Sequence, residues 1–340
     1  MRLRKINFIS GVTALAVILS SAVPAFSENY KQQELSVGYL ANITHAQAIL
    51  GRANGAFEKA VGPEARVQWT IFNAGPSVIE ALFAGKIDIA YIGPSPAVNG
   101  FVKSGGEALK VLAGSASGGA ALVVRQGAGI QTVQDFHGKK IASPQLGNTQ
   151  DVSLRVWLQT QDLKLKEKGG DVQVMPMANA DQVTLFLRNE IDAAWTVEPW
   201  VSILVKNANG KVFLDEASLW PEGRYATTLL IVRKEYLDRH PEVVKKFLQA
   251  HVSITRWIRE NESEARVLLG VEIDKLTHKA LPENVMKEAF KRIEFTSDPL
   301  VSSVTRQAEA AYQAGFLRSK PDLGKLFDLK LLKELESDKI

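Results

Sequence analysis

The sequence of 340 residues contains no cysteine. That absence removes disulfides, thiolate nucleophiles and cysteine-based metal sites, and with them the cysteine that a lipoprotein anchor requires at its cleavage point. Histidine is scarce, with five in the chain, and no two stand at the His-Glu-x-x-His spacing of a metallopeptidase. No Gly-x-Ser-x-Gly elbow is present either, and glycines such as Gly118-Gly119 complete no phosphate loop. Beyond the first 27 positions no stretch approaches the roughly 20 consecutive apolar residues of a membrane helix. Net charge is small as well: of the formal +4, three units come from Arg2, Arg4 and Lys5, and no nucleic-acid footprint is expected from the remainder.

Those three basic residues introduce what the sequence does have. They precede an apolar run from Phe8 to Leu19, which ends in small residues around Val23 to Ser27. This order of charge, apolar core and small residues reads as a secretory signal over residues 1–27, cleaved on export to a periplasm. A mature chain of about 310 residues favours two domains of ordinary size.

Strand-like and helix-like stretches then alternate: Leu35 to Leu40 extended, Ala46 to Val61 helical, Val67 to Phe72 extended, Ser77 to Ala84 helical, Ile87 to Ile92 extended. Such alternation predicts α/β architecture with mostly parallel sheets and helices on their faces. Gly75-Pro76, Gly93-Pro94-Ser95-Pro96 and the stretch Gly114 to Ala121 interrupt the pattern just after strands, at the sheet edge where ligands of open α/β folds bind. The segment Leu82 to Tyr91 is echoed by Phe186 to Trp195 at constant offset. Ser77 and Asp181 stand at corresponding helix starts, as candidate N-caps. Two lobes of similar build follow, residues 28–119 with 226–340 and residues 120–225, with a cleft between them. Extended segments at Ala120 to Arg125 and Ala226 to Arg233 make the crossings. The tail from Pro241 onward is helical by period, with Val244, Phe247, Leu248 and His251 on one face.

Several of these pieces together resemble the sulfonate, nitrate and taurine group of periplasmic binding proteins. They are Gly38-Tyr-Leu, Leu82-Phe-Ala-Gly-Lys-Ile-Asp-Ile-Ala before Gly93-Pro-Ser-Pro, Phe136-His-Gly-Lys-Lys-Ile-Ala leading to Gly147-Asn-Thr, and Asp192-Ala-Ala-Trp followed by Glu198-Pro-Trp200. The resemblance covers essentially the whole mature chain. It implies a two-lobe, type II-like binding-protein fold that closes on a small anionic ligand and delivers it to an ABC permease in the inner membrane. It also implies a monomer without metal, cofactor or catalytic activity.

A helix N-terminus presents unpaired N–H groups and the positive end of the helix dipole, so it holds an anion without a cationic side chain. Four helix starts are expected to face the cleft. They supply Asn42 and His45; Gly75 and Ser77; Gly93 and Ser95; and Gly147, Asn148, Thr149 and Gln150. Ser117 and Thr227 lie at the crossings. Tyr39 and Trp195, near strand ends, are candidates to pack an organic group, and Glu198 to pair with the amino group of a zwitterion. For each of these the competing reading is ordinary capping or core packing. Trp200 reads as buried, and Asp88 and Asp192, at equivalent turns, as structural. Neutral donors and no arginine clamp favour an organic sulfonate over phosphate. Nitrate, bicarbonate or an uncharged heterocycle, and a sensing role in place of transport, stay open. A pyrimidine-synthesising branch of the wider superfamily supplies the enzyme alternative, for which the residues above offer no chemistry.

Overall fold

The computed structural model describes residues 33–337; the expected signal segment lies outside them. The chain first lays down β1 (Gln33–Leu40), α1 (Ala46–Ala53), α2 (Ala56–Val61), β2 (Ala65–Phe72), α3 (Gly75–Phe83), β3 (Ile89–Ile92), α4 (Pro94–Lys103) and β4 (Leu109–Gly118). It then builds a second sheet from β5 (Ala120–Arg125), β6 (Lys140–Ser143), α5 (Thr149–Thr160), β7 (Gln173–Pro176), α6 (Asn179–Leu187), β8 (Ala193–Val197), α7 (Trp200–Asn207) and β9 (Gly210–Asp215). It returns through β10 (Ala226–Arg233), α8 (Lys234–Arg239), α9 (Pro241–Glu260), α10 (Glu262–Thr277), α11 (Glu283–Lys291), β11 (Ile293–Phe295), α12 (Val301–Gln313) and α13 (Lys330–Ser337). None of the described helices is long and apolar enough to cross a membrane.

The sheets run β11-β4-β10-β3-β1-β2 and β7-β6-β8-β5-β9. Both are mixed, where mostly parallel sheets were expected. Pairs β1/β2, β1/β3, β6/β7 and β6/β8 are parallel, whereas β4/β10, β3/β10, β4/β11, β5/β8 and β5/β9 are antiparallel. The cause is the double crossing. Strands β4 and β5 carry the chain outward and β9 and β10 carry it back, so outgoing and returning strands lie side by side and run opposite ways.

Alternation along each strand sends successive side chains to opposite faces, and every sheet therefore has two apolar cores. In β5, Leu122 and Val124 join Ile141, Trp157 and Trp195 on one face, while Ala121 and Val123 join Ala142, Phe186 and Leu204 on the other. In β1, Leu35, Val37 and Tyr39 face α1, α2 and α9, whereas Leu40 faces the side covered by α3, α4 and α12. Truncating one such residue, Leu122→Ala for example, removes about 2–5 kcal/mol. The expected single helix over 46–61 is two helices, interrupted at Asn54-Gly55. Ser77 and Asp181 each fall at the third helical position, after N-caps Ala74 and Ala178, so neither is a cap.

The internal echo does extend to bonding. Asp88 accepts the N–H of Ser36 at 2.9 Å with one oxygen and pairs with Arg233 at 2.6 Å through the other. Asp192 accepts the N–H of Lys140 at 3.0 Å and pairs with Arg125 at 3.2 Å. In each lobe a turn carboxylate thus ties the start of the first parallel strand to an arginine on an antiparallel neighbour, which explains why the Ile-Asp pair recurs.

Candidate functional site

The two crossings lie against each other. Gly118 and Gly119 sit at φ +79° and +83°, a region open to glycine and strained for other residues; there the chain turns from one sheet into the next. The hydroxyl of Thr227 donates to the carbonyl of Gly118 at 2.6 Å, and the Ser117 hydroxyl accepts the N–H of Tyr225 at 3.1 Å. Tyr225 in turn receives the N–H of Ala120 on its phenolic oxygen at 3.2 Å. Ser117 and Thr227, expected at the ligand, are therefore part of the bonding that holds the crossings together.

Above the crossings the expected helix starts converge from both lobes. Gly93 is the N-cap of α4, and a Cβ placed on it would stand 2.2 Å from the Thr149 hydroxyl at the start of α5. That hydroxyl lies 3.4 Å from the N–H of Ser95. A Cβ on Gly75, at the start of α3, would stand 3.2 Å from Asn148 Oδ1, and Ser77 Oγ reaches Gln145 Oε1 at 3.4 Å. The starts of α3, α4 and α5 carry no side-chain cap, so their N–H groups point into the junction. Gln150 is buried in the first turn of α5. The N–H of Gly147 is taken by Asp151 at 2.9 Å, whose carboxylate also receives Ser143 Oγ at 2.6 Å and Arg155 Nε at 3.0 Å. A negative charge within the first turn is thereby compensated by a buried cation.

Asn42 takes part as well, through a partner read from the sequence as merely buried: the indole N–H of Trp200 donates to Asn42 Oδ1 at 3.1 Å. Trp200 begins α7 just beyond the end of β8, and the sheet-edge position that drew attention to Gly93 and Gly147 marks it equally. Ser115 and Gln47, which did not stand out in the sequence, bond each other at 2.7 Å beneath Thr44, whose carbonyl accepts the Ser115 hydroxyl at 3.2 Å.

Four expected contacts fall elsewhere. Tyr39 packs edge-on against Trp69 within the first core, and Trp195 is fully buried in the second, its indole N–H donating to Glu216 at 2.7 Å. An aromatic near a strand end points to whichever face its register dictates, and both point to the helical cores. His45 is buried with Nδ1 accepting the N–H of Leu40 at 3.3 Å; burial pushes its pKa down to about 3, so it is a neutral acceptor. Glu198 is fully buried, and its partners are protein groups. It accepts Ser202 N and Oγ at 3.0 and 2.9 Å and lies 3.4 Å from Arg292 Nε. Burial raises its pKa to about 7, opposed by the Ser202 bonds and Arg292. The amine partner anticipated for Glu198 is a serine and an arginine of the chain itself.

Comparison with known proteins gives a consistent picture. The model of the NMT1-like family matches residues 28–269. A Bacillus subtilis protein named for binding aliphatic sulfonates is 25% identical over 328 residues, covering 95% of this chain and 94% of the relative. The taurine-binding periplasmic protein of Escherichia coli is 28% identical over 252 residues, 71% of this chain and 75% of its own. Among solved structures, the alkanesulfonate-binding protein SsuA from Xanthomonas axonopodis pv. citri, bound to MOPS, aligns with a TM-score of 0.72 at 19% identity, covering 87% of this chain and 98% of its own. The periplasmic nitrate-binding protein NrtA from Synechocystis PCC 6803 aligns at 0.75 and 16% identity, covering 91% and 89%. At such identities the two structures establish the two-lobe fold.

Proposed function

The chain belongs to the NMT1-like family, and on that footing we propose that it is the periplasmic capture component of an ABC importer whose ligand is a small organic sulfonate. The observation that carries this reading is the meeting of uncapped helix starts from two sheets, Gly75 and Gly93 on one side and Asn148 and Thr149 on the other. Their N–H groups and neutral side chains suit the three oxygens of a sulfonate, which carries its charge at all ordinary pH and needs no proton-transfer partner. Relatives named for sulfonates and taurine, matched over most of the chain, favour a sulfonate over nitrate.

The moving bodies are residues 28–119 with 226–340 and residues 120–225, bending at the glycine pair and at Ala226 to Thr228. The helix starts are in mutual contact, so a ligand enters only when the lobes part. Contacts it makes with both lobes at once then shift the population toward the closed form. Delivery to a permease follows from the same two-lobe surface, and the chain supplies binding without chemistry.

The test is a thermal-shift panel on the mature protein with ethanesulfonate, taurine, benzenesulfonate, nitrate, bicarbonate and sulfate. A sulfonate at 100 times its dissociation constant adds ~2.7 kcal/mol, a readable rise in Tm. A response to nitrate or bicarbonate with silence from every sulfonate would overturn the ligand assignment.

A further inference from the structure

A groove of about 470 Å3 runs between α5 and α12, closed at one end by the loop carrying Leu219 and Trp220. That volume lies within the range of roughly 300–1,000 Å3 that small-molecule sites occupy. It begins at the helix-start junction. Ser95, whose N–H faces the Thr149 hydroxyl, is part of its lining. From Thr149 the groove follows one face of α5, through Val152, Ser153, Val156 and Trp157, which are the positions three, four, seven and eight residues on and hence stacked along a single helix face.

The lining is apolar except at a few points, and one of these is unsatisfied. Gln307, on α12, is 7% exposed. Its amide nitrogen donates to the carbonyl of Ala226 at 3.0 Å, while its Oε1 is buried with no hydrogen-bond partner. A buried acceptor without a donor carries a penalty of about 1–3 kcal/mol. The Trp220 N–H is likewise without a hydrogen bond, turned toward Glu216, whose own oxygens are taken by Trp195 and Ser153. Arg306 lies 5.2 Å over the Trp220 ring and makes no ion pair among the described residues, so the rim of the groove presents positive charge to an incoming anion.

We infer that this groove is a subsite for the organic part of the ligand, selecting sulfonates whose tail is ring-sized, apolar and equipped with a hydrogen-bond donor for Gln307. The inference rests on the sulfonate reading: the helix starts take the charged head, and the tail then has one apolar path leading away from it, along α5. A two-carbon sulfonate occupies the junction and leaves the groove lining unused. An aromatic sulfonate with an amino substituent fills it and supplies the missing donor.

Isothermal titration of the mature protein with ethanesulfonate, benzenesulfonate and aminobenzenesulfonates, repeated on Ala310→Trp, tests the assignment. Ala310 is half-buried on the groove-facing side of α12, and a tryptophan there fills the groove without touching the helix starts. The expected result is tighter binding of the aminobenzenesulfonates than of benzenesulfonate, and of benzenesulfonate than of ethanesulfonate. The variant weakens the aromatic ligands about tenfold or more and leaves ethanesulfonate within about twofold. Aromatic ligands that bind no better than ethanesulfonate, or a variant that weakens all three equally, would overturn the subsite while leaving the sulfonate reading intact. Absence of binding by every sulfonate would overturn the sulfonate reading, and the subsite with it.

Discussion

The indole N–H of Trp200 and the side-chain oxygen of Asn42 meet at 3.1 Å across a sequence separation of 158 residues, one at the start of α7 beside the second sheet and the other just beyond β1 in the first. A bond of this kind exists only when the lobes are together, so it weights the closed form alone. Trp200→Phe keeps the ring and removes the donor. The expected outcome is a loss of about 1 kcal/mol, roughly fivefold, in ligand affinity by isothermal titration, with the melting temperature of ligand-free protein almost unchanged. Adding Asn42→Ala to the variant costs little more, because both substitutions remove the same bond.

The close approach of Gly93 to Thr149 gives a steric test of closure. In Gly93→Ala the new methyl carbon stands 2.2 Å from the Thr149 hydroxyl, far inside van der Waals contact. Small-angle scattering at saturating ligand is expected to show this variant held open. The double variant Gly93→Ala/Thr149→Ala removes the clashing oxygen and recovers compaction, although with weaker binding. A closed Gly93→Ala single variant would contradict the contact.

The matched carboxylates predict matched effects on stability. Asp88→Asn and Asp192→Asn each keep an acceptor for the strand N–H of Ser36 or Lys140 and lose the arginine pairing. Urea denaturation is expected to show both variants destabilised, on the order of 1–3 kcal/mol each. Ligand affinity stays unchanged, since neither carboxylate faces the junction.

Glu216 sets a pH dependence whose sign follows from burial. Its pKa is raised from the ordinary 4.5 to about 7 by burial, against the pull of its bonds from Trp195 and Ser153. The stability associated with its protonated form is full below pH 4.5 and is lost as pH rises through about 7. Glu216→Gln retains both bonding positions and cannot ionise. Its Tm is expected to exceed that of the parent above pH 7, by up to ~3 kcal/mol in stability, and the advantage to shrink as pH falls to 4.5. His45 and His251, with pKa values lowered by burial to about 3 and about 4, act in the opposite sense. Their contribution is full above pH 6.5 and is lost on acidification, so the parent is most stable at intermediate pH.

The helix starts were legible in the sequence because glycine, proline and small hydroxyl residues after an apolar run have one common cause, a strand giving way to a helix at the sheet edge. The Asp88 and Asp192 turns were legible through repetition. Mixed sheet direction was not, since apolar content says a strand is buried and nothing of which way its neighbour runs. The aromatic assignments failed for a related reason. Tyr39 and Trp195 lie near strand ends as expected, but a shift of one residue turns a side chain from one face to the other, and the register emerges only with the paired strands. Gln307 and the α5–α12 groove were invisible because they join segments about 150 residues apart.

The lacing of Gly118 to Thr227 and of Ala120 to Tyr225 means that the middle third of the chain leaves and re-enters its host at one point. Residues 120–225 are therefore a cassette with adjoining ends. Such a piece can be exchanged between related proteins by two cuts at the same place, without rethreading the host sheet. Because each half supplies its own share of the junction, recombination at this point offers a route to new ligand specificities by pairing existing halves.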